Sequence, residues 1–157
     1  MPLKNNSQQS ARGDPYLSFR FGVEIDGILS AGFNDVIGLT LETEVQTFRE
    51  GGNNLAEQQL PGTTKYPAKL NLKRGLADAH DLWKWYEDVT NGLIERRDVS
   101  ILLLDSKTNE ERWRWVILEA YPVKWSGPEF RANSSEIAFE SVELVHKGLR
   151  YAHNKKR

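Results

Sequence analysis

Carboxylates are the residues in this chain best spaced for chemistry, and they come in pairs. Glu42 and Glu44 alternate along one stretch, and Glu136 and Glu140 stand near the start of another. Two carboxyl groups at a fixed separation can hydrolyse a glycosidic bond, one as acid and the other as nucleophile or base. Polar strand faces need solvated residues in any case, so both pairs are expected to be surface charge. His80, His146 and His153 show no HxH or HxxxH spacing, and no metal ligand set is read from them. No GxSxG elbow is present. The glycines at 22, 27, 32, 38, 51, 52 and 62 match neither GxGxxG nor a phosphate-loop spacing. Trp83/Trp85 and Trp113/Trp115 offer flat faces for sugars or bases. No catalytic, cofactor-binding or metal-ligating residue is therefore predicted, and the chain is not read as an enzyme.

These residues are carried by stretches that mostly alternate with period two. "YLSFRFGVEI" sets Leu17, Phe19, Phe21, Val23 and Ile25 on one face, and Asp26-Gly27 fits a tight turn into "ILSAGF". "LTLETEV" places Leu39, Leu41, Thr43 and Val45 opposite Thr40, Glu42 and Glu44. "AKLNLKR" alternates Ala68, Leu70 and Leu72 with Lys69, Asn71 and Lys73. "VSILLLD", "RWRWVIL" and "IAFESVELVH" complete about seven strands in an antiparallel arrangement. One segment differs: "LADAHDLWKWYEDVTNG" puts Leu76, Ala79, Leu82, Trp83, Tyr86 and Val89 on one helical face. Asp78 is the expected N-cap and Gly92 the residue that stops the helix. This phase makes Trp83 a core residue and leaves Trp85 nearly opposite, where an exposed indole points to another chain. The fold expected is mainly β, a sandwich or barrel with one flanking helix.

Composition narrows the function classes. A chain of 157 residues reads as one domain, and 39% hydrophobic residues with five tryptophans suffice for a single core. The absence of cysteine excludes disulfides and thiolate ligands. A net charge of −1 gives no electrostatic reason to bind nucleic acid or an acidic membrane, and no apolar run reaches the ~20 residues of a membrane helix. The polar N-terminus lacks a signal-peptide pattern, so synthesis in the cytoplasm is expected. Residues 1–14 read as a flexible tail, 15–149 as the domain, and 150–157 as a basic tail without the aromatic interleaving of a nucleic-acid site.

The stretch from Arg49 to Tyr66 resists this scheme. It is polar, carries Gly51-Gly52 and Pro61-Gly62, and has only Leu55, Ala56, Leu60 and Tyr66 as apolar anchors. Loops this long are uncommon unless functional or disordered. A ligand loop, a catalytic loop and an arm reaching another subunit are the three readings. Phosphate-binding spacing and a catalytic partner for Glu50 are both missing, which favours the arm.

Four stretches in order, "DPYLSFRFGVEIDGILSAGFNDVIGLTLETEVQTFREGGNN", "LPGTTKYPAKLNLKRGL", "LWKWYEDVTNG" and "YPVKWSGPEFRANSSEIAFESVELVHKGL", resemble the phage tail tube protein family. That family includes the tubes of contractile phages and of phage-tail-like injection systems. Ser135-Glu136 and Tyr121-Pro122 stand where Asn-Glu and Trp-Pro are familiar. The resemblance implies two packed antiparallel sheets forming a barrel-like sandwich with one flanking helix, similar to the type VI secretion tube protein. It implies a structural subunit: six copies form a ring, and rings stack into a tube with a central channel for cargo. The implied partners are further copies, a contractile sheath, baseplate and spike hub proteins and protein cargo, inside a phage tail or injection particle. A tube-initiator or baseplate adaptor ring is the alternative role. Carried onto this sequence, the long-loop role makes Arg49, Glu50, Gly51, Gly52, Asn53, Asn54, Leu60, Pro61 and Tyr66 candidates for contact between subunits or rings. Glu42, Glu44, Lys69, Lys73 and Glu140 are the candidates for facing the channel.

Overall fold

A computed structural model describes residues 20–30, 32–52 and 55–152. The predicted tail at 1–14 lies outside these residues, as do Leu17, Phe19, Asn53, Asn54 and the end of the basic tail from 153. In chain order the elements are β1 (Phe21–Ile25), β2 (Ile28–Ser30), β3 (Phe33–Ile37), β4 (Glu42–Phe48), β5 (Gln58–Lys65) and β6 (Leu70–Gly75). They continue with α1 (Asp81–Thr90), β7 (Arg97–Leu104), β8 (Glu111–Ser126), β9 (Phe139–Val145) and β10 (Gly148–Tyr151).

Eight strands form one antiparallel sheet in the order β2-β1-β7-β8-β9-β6-β3, with β10 also on β8. The 16-residue β8 joins the two halves: its first half pairs with β7 and β10, its second with β9. The path ends at β2 and β3 without closing. Both halves turn their apolar faces to one cluster, in which Val23, Val99, Ile101 and Ile117 meet Leu70, Leu72, Val142 and Leu144. The sheet therefore folds over itself as the expected barrel-like sandwich, and α1 covers the core with Leu82 and Trp85.

Local sequence accounts for most boundaries. Asp26 and Gly27 both take positive φ (52° and 75°), the backbone that a two-residue hairpin turn requires. In β6, Leu70 and Leu72 are buried while Asn71 and Lys73 are not, and β9 repeats this with Val142 and Leu144. Gly92 ends α1 with φ +85°.

The helix differs from expectation in start and phase. It begins after His80 rather than Asp78, and Leu76 is exposed. Without those five leading residues the apolar face is set by Leu82, Trp85 and Val89. Trp85 is 1% exposed and Trp83 44%, the reverse of the expected roles. Trp85 also donates its indole N–H to the Glu95 carbonyl at 2.9 Å, so burial leaves no polar atom stranded. Three strands arise where none was expected, the first being β3 over Phe33–Ile37, between "ILSAGF" and "LTLETEV". Arg150 and Tyr151, assigned to the basic tail, pair with Val116 and Trp115 as β10. Within the predicted loop, Gln58–Lys65 forms β5 and pairs with β4 from Glu42↔Lys65 to Phe48↔Gln58.

Candidate self-assembly surface

β4 and β5 form a separate two-stranded sheet that pairs with no strand of the larger one. Every residue of β4 is exposed, and so is every residue of β5 except Gly62. A lone two-stranded ribbon is marginal in water, because one face has nothing to pack on. Its internal ties are those of a surface element: Arg49 pairs with Glu57 at 3.0 Å, Lys65 with Glu44, and the Thr43 and Thr64 hydroxyls meet at 3.1 Å. Exposed ion pairs contribute about 0–1 kcal/mol each. Yet Leu41, Val45, Phe48, Leu55 and Leu60 all stand in solvent here. An apolar surface of this kind marks a contact with another molecule.

The ribbon's two faces differ. Thr43, Val45 and Thr47 alternate out of one side of β4, opposite Thr64, Pro61 and Gln59, and none is charged. The other side carries Glu42, Glu44 and Lys65 together with the apolar Phe48 and Leu60. Both legs of the ribbon are fixed where they leave the body. Gly38 takes φ +110° with its Cα against the Lys69 carbonyl, and any Cβ there would collide with that oxygen. Tyr66 sets its ring edge-on to His146 with centroids 5.2 Å apart. Burial lowers the affinity of His146 for a proton, against the Gly148 backbone bond that raises it.

The predicted contact residues thus separate. Arg49, Glu50, Gly51 and Gly52 lie at the ribbon's tip, Leu60 and Pro61 on β5, and Tyr66 at its foot, tied to its own chain. Arg49, expected to reach another subunit, has Glu57 as a partner at home.

The channel-facing candidates separate further. Glu42 and Glu44 belong to the ribbon. Lys69 is exposed beside β6, and Lys73 lies on the outer face of β6 with its ammonium 4.7 Å from the Phe139 ring centre. Glu140 does not belong with them: it is 3% exposed and faces the core. It shares the strand parity of Val142 and Leu144, which the expectation of a polar pair with Glu136 overlooked. A buried carboxylate needs a cation, and Arg74 supplies one through Nε–H to Glu140 Oε1 at 2.6 Å. Trp125 donates to the second Glu140 oxygen at 3.1 Å. Arg74 also donates to the Ala79 carbonyl and to Asp81 in the first turn of α1, fastening helix to sheet. Burial raises the Asp81 carboxyl, but hydrogen bonds and charge from Arg74 outweigh it and hold the group below the usual carboxylate range.

Sequence reasoning missed a second apolar surface. Phe21, Val36, Ile37, Leu39, Leu103 and Trp115 line a groove of about 490 Å³ between β3 and the β1–β7 half. The run from Ile37 to Leu41 held the signal, since its alternate leucines were assigned to a packed strand. Among the described residues no three His, Cys, Asp or Glu side chains come together to hold a metal. No described helix is long and apolar enough to cross a membrane.

Against known proteins, the family model for the T4-like virus tail tube protein gp19 matches residues 17–150. No curated protein matches the sequence. A chain from the PVC sheath-tube complex in its extended state, an extracellular contractile injection system, is 24% identical, with 93% of this chain and 97% of that chain covered and a TM-score of 0.79. A chain from the structure of the anti-feeding prophage cap, which terminates the tube, is 21% identical, with coverage of 96% and 99% and a TM-score of 0.82. Hcp1 from Flavobacterium johnsoniae is 16% identical, with coverage of 85% and 94% and a TM-score of 0.52. At these identities the solved structures establish a shared fold.

Proposed function

The chain belongs to the T4-like virus tail tube protein gp19 family, and on that premise we propose that it is the structural subunit of an inner tube. Six copies close into a ring, and rings stack around a central channel inside a phage tail or a phage-tail-like injection particle. The observation that carries this reading is the β4–β5 ribbon, exposed along both strands and rich in apolar side chains that its own core does not use. Such an element gains order from a neighbour, and in a homo-oligomer the neighbour is another copy.

The work of this protein is mechanical, with no bond chemistry. A contractile sheath surrounds the tube, baseplate and spike proteins meet its end, and protein cargo occupies its channel. Arg49–Gly52 at the ribbon tip, together with Leu60 and Pro61, contacts the next subunit or ring. The outer face of β6 and β9 lines the channel, with Lys73 opposite Ser141 and Asn71 opposite Glu143. Mixed charge there keeps the wall wet without a strong field of either sign.

Electron microscopy of the purified protein tests the proposal. Stacked rings with a central channel are expected. Single rings that never stack point instead to the initiator or adaptor role, and a stable monomer at high concentration contradicts both.

A further inference from the structure

The sequence has a single Asn-Gly step, Asn91-Gly92, and it falls where α1 ends. Asparagine is chemically least stable before glycine, because no side chain shields the glycine nitrogen from the neighbouring carboxamide. Here the fold engages that nitrogen. Gly92 N–H donates to the Val89 carbonyl at 3.1 Å and Leu93 N–H to the Asp88 carbonyl at 2.8 Å, the paired bonds that close a helix on a left-handed glycine. Asn91 has ψ 7°, which nearly eclipses the Gly92 nitrogen with the residue's own nitrogen and turns it away from Cβ. The Trp85 indole bond to the Glu95 carbonyl ties the chain just beyond the cap back to the helix. Asn91 and Gly92 nevertheless both stand in water.

We propose that Asn91 is a deamidation site of this chain, and that the cap of α1 holds it unreactive while the helix end is closed. On opening, the Gly92 nitrogen gives its proton to solvent base and attacks the Asn91 Cγ. A C–N bond forms, ammonia leaves, and a cyclic succinimide remains. Water then adds to either ring carbonyl, and cleavage of that C–N bond gives aspartate or isoaspartate, with no oxidant or reductant involved. The closed cap blocks the first step twice. The nitrogen's hydrogen is held by Val89, and bringing the nitrogen to Cγ needs a rotation about Cα–C that breaks both cap bonds. The products do not fit the closed cap either. Isoaspartate lengthens the main chain and displaces the bonded N–H groups. Aspartate adds negative charge at the C-terminus of a helix that carries Glu87 and Asp88 near its end and no basic residue in its last turn. Each conversion thus loosens the helix whose Trp85 covers the core.

Peptide mapping by mass spectrometry tests this, with the full chain incubated at mildly alkaline pH both folded and in urea. In urea, acid is expected to accumulate at position 91 faster than at any other asparagine. In the folded protein conversion at Asn91 should be at least about tenfold slower, because the helix end must first open. Trp85→Phe keeps an apolar ring and removes the indole bond to Glu95. Incubated folded, this variant is expected to convert Asn91 faster than the parent, while Asn133, exposed in the turn before β9, keeps its parent rate. Asn91→Asp protein is expected to unfold at a lower denaturant concentration than the parent. Equal conversion of Asn91 in folded and urea-treated parent overturns the protection by the cap. Faster conversion of another asparagine in urea overturns the site itself.

Discussion

Two sets of ion pairs separate the body of this molecule from its ribbon. Arg74 and Glu140 lie inside the body, with almost no exposed side chain, and hold α1 against β6 and β9 through Asp81 and Trp125. Lys65–Glu44 and Arg49–Glu57 span the ribbon with more than half of each side chain in water. The residue types are the same and the energetics are opposite. In the body a lost partner strands a buried charge, whereas on the ribbon it returns one to solvent. The body is thus specified from within. The ribbon is left to be specified by whatever it touches.

The largest break in this comparison comes from the buried set. Arg74→Met leaves Glu140 uncompensated and is expected to cost roughly 3–5 kcal/mol, read as a fall in the denaturant midpoint. A loss below about 1 kcal/mol would place Glu140 in water. Next comes α1, where Trp85→Ala should cost roughly 3–5 kcal/mol. Trp83→Ala, which removes one edge-on contact with Trp125 at 4.8 Å, should cost about 1 kcal/mol. The reversed order would restore the helix phase expected from sequence.

Gly38→Ala sits at the border of the two regions. Strain at positive φ and the Lys69 carbonyl together should cost more than about 1 kcal/mol, and assembly should suffer more than folding. Acid probes the latch again. Asp81 titrates below its usual range when folded, so its contribution is complete above the ordinary carboxylate pKa and disappears as pH falls through the lower folded value. Stability measured from pH 5 downward should therefore decline less steeply in Arg74→Met than in the parent. The smallest effect belongs to the ribbon: Lys65→Met should change subunit stability by less than about 1 kcal/mol.

Strand alternation made most of the body legible. β1, β6 and β9 each bury the alternate apolar residues that their sequences display, and Asp26-Gly27 turns where its backbone freedom requires. Legibility failed where tertiary pairing overrules local signal. "QQLPGTTK" contains Pro61-Gly62 and almost no apolar residue, so β5 exists only because β4 lies beside it. The helix phase failed because Leu76 and Ala79 were counted into a face that starts five residues later. Glu140 was readable from its parity with Val142 and Leu144, but its cation stands 66 residues away on another strand. The groove was invisible because its walls come from four strands that meet only after folding.

Amide hydrogen exchange, compared between dilute monomeric protein and its assembled form, tests most directly whether the ribbon is ordered by other copies. Amides of Val45–Phe48 and Gln58–Lys65 should exchange fast in the monomer and become protected on assembly, while those of β6 and β9 stay protected in both. Equal protection of the ribbon in both forms would contradict the account, because its order would then come from its own chain.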